Sequence, residues 1–389
     1  MTKLPAAGSY LPQLDGIRAI AVTLVLLVHC VMVPDHGVVG WILRNVLSNG
    51  WIGVDLFFAL SGYLITSILL RARTRPHYFR NFYARRFLRI FPPYYAVIAI
   101  LAVAAAWLPF GPLRPAWPYL TYTSNLYLVF AHWEWRPLGH TWSLAIEEQF
   151  YLFYPILVLR LPKPRLRHLL WVVIALSPLV RVLTNAMTFP AASAFTTFCR
   201  LDVLAMGALI AIEFDGRTEI SDRAARRLRL AFGALLTASA VLFVTKQLDA
   251  KTVFFNAVSL TIIEATAAMF ICVAIAAPVP FLNRVLRLPA AVGMGRISYG
   301  IYLFHYPIVR IVEWQAKARM ADTWSRTAVI AATSAGVTIM LSVVSWFAFE
   351  RPILRLKKWF YDAGEEAARV EQVMIEAPVA ASLRPETGS

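Results

Sequence analysis

Ten mostly apolar stretches, separated by short polar or basic segments, recur along the chain near 17–34, 52–70, 93–109, 143–160, 168–185, 197–214, 229–246, 254–277, 297–314 and 327–348. A bilayer core about 30 Å thick takes roughly 20 helical residues to cross. The pattern therefore predicts an all-α fold, a polytopic membrane helix bundle with about ten transmembrane helices. The third, fourth and sixth stretches are the weakest, being short or interrupted by charge. Residues 1–12, with Pro5, Gly8 and Pro12, are expected to form a loose leader, and 13–352 the membrane domain. Residues 353–389 read as a polar, acidic tail, with GEEAARVEQV as a short amphipathic helix and a disordered end. No second folded domain is expected there.

The polar residues inside the apolar stretches carry the information. In QLDGIRAIAVTLVLLVHC the eleven steps from Arg18 to His29 turn a helix by about 1,100° and rise roughly 16 Å, so both side chains share one face. A charge at mid-bilayer costs about 2.5–3.5 kcal/mol even on the mildest scale, so that face looks into protein or water. The bland alternative is a snorkelling arginine with one hydrogen-bonded core histidine. Asp55, at the start of the second stretch, reads either as a helix cap or as a site residue. Ser61 and Gly62 would let another helix approach closely.

The segment RARTRPHYFRNFYARRFLRIFPPYY is expected to be an inner loop fixing topology and touching anionic lipid. Within it Arg85, Arg86 and Arg89 stand at helical spacing before Pro92 and Pro93, offering a basic face suited to phosphate. The long connection from Pro109 to Thr141 holds Trp117, Tyr119, Tyr122, Tyr127, Trp133 and Trp135, which read as an interfacial belt or, less simply, a sugar-stacking platform. Glu147 and Glu148 are neighbours on the fourth stretch and point about 100° apart, so at least one faces the interior. Arg200 and Asp202 read as a structural ion pair. His305 lies within the ninth stretch, as a core histidine or a site residue, and Pro307 is expected to interrupt that helix.

Composition narrows the classes. The 389 residues are 59% hydrophobic and 15% charged, against about 25% charged in soluble domains. The net charge of +16 does not indicate nucleic acid, because Arg and Lys cluster in the connections after stretches two, four, six and eight. By the positive-inside rule that places both termini in the cytoplasm of a multi-pass protein of the inner (plasma) membrane. Cys30, Cys199 and Cys272 have neither metal nor disulfide spacing, and no cleavable signal peptide is expected.

This topology allows depths to be compared. His29 lies about four residues, roughly 6 Å, below the outer end of its helix, and Glu147 enters from the outside to a similar depth. A histidine held by a carboxylate suits a general base that takes a proton from a hydroxyl. Arg18, Arg86 and Arg89 belong to the inner side and suit a phosphorylated co-substrate. The interval between them fits something long and thin, such as the pantetheine arm of coenzyme A. A proton-coupled transporter or lipid-linked-glycan flippase is the alternative that this geometry leaves open.

The chain resembles the acyltransferase-3 family of membrane O-acyltransferases over residues 10 to about 352, through LDGIRAIAVTLVLLVHC, GVDLFFALSGYLI, RRFLRIFPPYY, HTWSLAIEEQFYLFYP and SYGIYLFHYP. The resemblance implies transfer of an acyl group, often acetyl, from acetyl-CoA or another acyl-CoA to a hydroxyl. Surface polysaccharides, O-antigens, peptidoglycan, lipo-oligosaccharides and macrolide-type small molecules are family acceptors. It carries the Arg and His pair onto Arg18 and His29, the glutamate onto Glu147, and donor handling onto Arg86 and Arg89. Asp55, Ser143, Glu148, Tyr151 and His305 are second choices, and no metal or nucleic acid is implied.

Overall fold

A computed structural model describes residues 1–5, 8–31, 40, 43, 45–108, 115–131, 137–190, 192–321 and 323–360. Ten helices of 14 residues or more make up the bundle: α1 (Pro12–Cys30), α2 (Ile52–Ala72), α3 (Tyr78–Ala104), α4 (Trp142–Arg160), α5 (Lys163–Met187), α6 (Leu201–Phe214), α7 (Asp222–Val244), α8 (Leu260–Ala276), α9 (Ser298–Lys317) and α10 (Trp324–Ser345). Each predicted stretch falls on one of them. Among the described residues seven are long and apolar enough to cross a membrane: α1, α2, α3, α5, α7, α8 and α10. Helix α6, at 14 residues, is short. Helices α4 and α9 carry several charged groups.

Helix α2 stands at the centre, packed against α1, α4, α6 and α8. Its crossing with α6 depends on two glycines. A Cβ on Gly62 would lie 2.0 Å from the Leu204 carbonyl oxygen, and one on Gly207 would lie 2.0 Å from that of Ala59. Backbones this close leave no room for a methyl group, as in membrane helix pairs built on small residues. Gly62→Leu is therefore expected to destabilise the bundle by at least the 1–3 kcal/mol typical of overpacking. A lower unfolding temperature in detergent would show it, and an unchanged one would refute the crossing. Helices α5, α7 and α10 lie at the periphery and expose apolar side chains such as Leu176, Leu236 and Met340, as lipid-facing helices do.

Several expectations are corrected. The basic segment is no loop: α3 begins at Tyr78 and carries Arg85, Arg86 and Arg89 through Pro92 and Pro93 to Ala104. Likewise α9 continues past Pro307 to Lys317. Membrane helices tolerate proline because neighbouring groups re-satisfy the freed carbonyls. The leader is tied down: Thr2–Lys3 pairs antiparallel with Glu219–Ile220, and the N-terminal ammonium reaches Asp222 at 2.8 Å. Tyr119 and Tyr122 are buried, not interfacial, with Tyr122 stacked on Tyr94 at 4.5 Å, whereas Trp117 is exposed. Pro34, Asp35, His36, Arg44, Trp133, Trp135 and the tail beyond residue 360 lie outside the described residues.

The polar groups of α5 to α8 also pair differently. Arg200 bonds Asp55 and, at 3.0 Å, Glu264. Asp202 pairs with Arg181 at 2.5 Å instead of with Arg200, and Arg181 also reaches Glu264 at 3.1 Å. Asp55 is no cap, since Trp51 precedes the helix without a side-chain cap bond. It sits in this buried ionic group, away from the cavity described next.

Candidate active site

Helices α1, α2, α3, α4 and α9 line a partly open cavity whose walls include Arg18, Arg86, Arg89, Ser143, Glu147 and Tyr302. Helical spacing explains why these residues converge. Arg86 and Arg89 lie three apart on α3 and share a face, whereas Arg85 turns away and donates its Nε–H to the Asn81 carbonyl at 3.1 Å. Ser143, Glu147 and Tyr151, four apart on α4, form a single stripe, and all three line the cavity. Tyr151 shares a hydrogen bond with Ser61 of α2, and the Arg86 guanidinium lies over its ring, 5.2 Å from the centroid. Arg89 lies 5.7 Å from the Trp346 ring centroid. Arg18 is held by Asp15 at 2.5 Å, and Asp15 in turn accepts a hydrogen bond from Tyr10 at 2.6 Å. Glu148 turns from this stripe toward the tyrosines of α3 and α9, Tyr94 and Tyr299.

His29 occupies the last turn of α1. Its Nδ1 stands 2.9 Å from the Val25 carbonyl. A carbonyl only accepts, so Nδ1 carries the proton and Nε2 keeps its lone pair. The ring packs on His305 at 5.0 Å and on Tyr306 at 5.2 Å, and His305 packs on His140, again at 5.0 Å. His140 and His305 are buried. Tyr302 joins this imidazole group to the cavity. Its hydroxyl lies 2.5 Å from the Ser143 hydroxyl and donates to the His140 carbonyl at 2.9 Å, while its own carbonyl meets His305 Nδ1 at 2.6 Å.

The structure thus gathers Arg18, Arg86, Arg89, Ser143, Glu147 and Tyr151 around one space, and places His29 and His305 together outside its walls, behind the lining residue Tyr302. It does not join His29 to Glu147. Among the described residues no hydrogen bond or ion pair links them, and the imidazole is oriented by the Val25 carbonyl instead. Glu147 lies in the field of Arg86 and Arg18, beside the Ser61 and Tyr151 hydroxyls. Two residues were not anticipated, His140 and Tyr302. Both carry a periodic signal: His140, Ser143 and Glu147 stand three and seven apart, and Tyr302 precedes His305 by three. No group of three or more His, Cys, Asp or Glu among the described residues is placed to hold a metal ion.

Comparison with known proteins follows the same lines. Residues 11–346 match the family model described as an acyltransferase domain. The chain is 29% identical over 369 residues to the peptidoglycan O-acetyltransferase OatA of Listeria monocytogenes, covering 88% of this chain and 56% of that protein. It is 30% identical over 365 residues to the putative peptidoglycan O-acetyltransferase YrhL of Bacillus subtilis, covering 88% and 55%. It is 31% identical over 331 residues to the O-acetyltransferase OatA of Staphylococcus aureus, covering 78% and 51%. The chain spans about half the length of the curated relatives it matches. No solved structure matches it.

Proposed function

The chain belongs to the acyltransferase-3 family, and from that membership we propose that it is a membrane O-acyltransferase moving an acyl group, acetyl by analogy with the names of its relatives, from acyl-CoA to a hydroxyl of a cell-surface glycan. The observation that carries this reading is a single cavity with three arginines and a carboxylate on its walls, one of whose lining residues, Tyr302, packs its ring on His140 and His305. Arginines suited to an anionic donor and imidazoles suited to proton transfer then stand on either side of Tyr302.

In this mechanism His29 Nε2 takes the proton of the acceptor hydroxyl as its oxygen attacks the thioester carbonyl. The carbon–sulfur bond breaks, and the thiolate leaves with a proton returned by the imidazolium, so ester and free CoA thiol are the products. Arg18, Arg86 and Arg89 hold the donor. Glu147 is a positioning residue that fixes Arg86 and the Tyr151 hydroxyl. The donor comes from the cytoplasm, and a glycan acceptor reaches His29 from the outer side of the plasma membrane. Purified protein given radiolabelled acetyl-CoA and soluble peptidoglycan fragments is expected to release CoA and label the glycan only when both are present. Absence of acceptor-dependent label across glycan acceptors would reject the reading, and glycan movement without CoA release would mark a flippase.

A further inference from the structure

A second, open cavity lies where the leader, the last turns of α2 and the α6–α7 connection meet, and its walls include Tyr10, Arg18, Ser67, Arg71, Asp215 and Arg217. These segments precede the first helix, end the second or follow the sixth, so an alternating bundle brings them to one face. The positive-inside rule makes that face cytoplasmic. Arg18 and Leu64 line both this cavity and the one containing Glu147, so the two spaces adjoin at α1 and α2.

The charges on the walls are unequal. Asp15 is already engaged by Arg18 and Tyr10, and Asp215 by Lys163. Arg217 has Glu213 at 3.8 Å, a carboxylate it shares with Arg167 at 3.4 Å. Arg71 adds a further guanidinium to the same walls. Guanidinium groups on the walls of an open cavity suit clustered phosphates, which they bind with paired N–H donors.

Resting on the donor assignment above, we propose that this outer cavity holds the nucleotide end of the acyl donor. Arg71 and Arg217 take the phosphates of a 3′-phosphorylated adenosine diphosphate, and the pantetheine arm runs past Arg18 and Leu64 into the inner cavity. The arginines then divide by task. Arg71 and Arg217 recognise the nucleotide, Arg18 stands at the junction, and Arg86 and Arg89, farther in, face the thioester half.

The experiment compares two donors, acetyl-CoA and S-acetyl-pantetheine, which lacks the nucleotide. In the Arg71→Ala/Arg217→Ala protein the KM for acetyl-CoA is expected to rise about tenfold or more for each lost charged hydrogen-bonding group, while turnover of S-acetyl-pantetheine stays as in the wild type. An unchanged KM for acetyl-CoA, or an equal loss on both donors, overturns the proposal alone. A wild type that transfers from neither donor overturns the donor assignment as well. If the double variant does not fold, Ser67→Cys serves, because the three native cysteines are buried. Desulfo-CoA is expected to protect Cys at position 67 from a maleimide where desulfo-pantetheine does not, and labelling that is equal with both ligands overturns the assignment.

Discussion

Replacing His29 by alanine is expected to lower acyl transfer about 10²- to 10⁴-fold, the usual worth of a positioned general base, while leaving the chain folded in the membrane. Folding should survive because, among the described residues, the hydrogen bond of the imidazole runs to Val25, within its own helix, and a neutral bond of that kind contributes about 1 kcal/mol. Among the described residues the ring ties no helices together through ion pairs. Transfer rates in detergent or vesicles, normalised to protein recovered in the membrane, provide the measurement. The neighbouring imidazoles supply the control. His305 is buried and bonds its own helix through Nδ1, so His305→Gln retains much of the packing and is expected to cost less than His29→Ala. If His29→Ala keeps most of the activity and His305→Gln abolishes it, the base is His305.

The arrangement around His29 also shows what a sequence can convey about a membrane site. All ten helices were legible, because each needs an apolar run and the runs are distinct. The separation of two residues along one helix was legible too, since rise per residue is fixed. Angular position was not. Helical rise assigns His29 and Glu147 compatible heights, yet α1 packs on α2 and α9, and α4 packs on α2. The His305 and Tyr306 side chains of α9 therefore take the place beside His29 that equal depth alone assigned to a carboxylate. Spacing within a helix put Arg86 and Arg89 on one face as expected, though not Arg85, which turns to the Asn81 carbonyl. Spacing between helices has no counterpart in sequence pattern.

The opening of α3 was misread for a related reason. A run dense in arginine and followed by two prolines reads as a cytoplasmic loop, because charge favours that side and the residue before proline avoids helical geometry. The chain instead stays helical from Tyr78, with the Arg86 guanidinium over an aromatic ring and inside the cavity. Inward-facing arginines need not leave the bundle when protein walls receive them.

The largest effect on stability is expected at Arg181. Its guanidinium is buried and reaches Asp202 at 2.5 Å, Glu264 at 3.1 Å, the Asn256 carbonyl at 2.8 Å and the Thr261 hydroxyl. With Arg200 bound to Asp55 and Glu264, two guanidinium groups face three carboxylates linking α2, α5, α6 and α8. Removing one partner of a buried ion pair costs about 3–5 kcal/mol, because the other charge stays behind without water. Arg181→Ala should sit at the upper end of that range, since it removes positive charge from a group that already has more carboxylates than arginines. The recovered fraction of folded, monodisperse protein in detergent should fall sharply. Glu264→Gln removes negative charge from the same group and is expected to cost less, and Arg181→Met with Asp202→Asn should recover part of the loss by removing both charges together. If Arg181→Ala instead proves as stable as the wild type, the network does not hold the helices. The consequence reaches the cavity: Asp55 and Ser61 lie six residues apart on α2, so the ion pair that fixes Asp55 also sets where Ser61 meets Tyr151. Protein bearing Arg181→Ala that still folds is therefore expected to lose transfer activity as well.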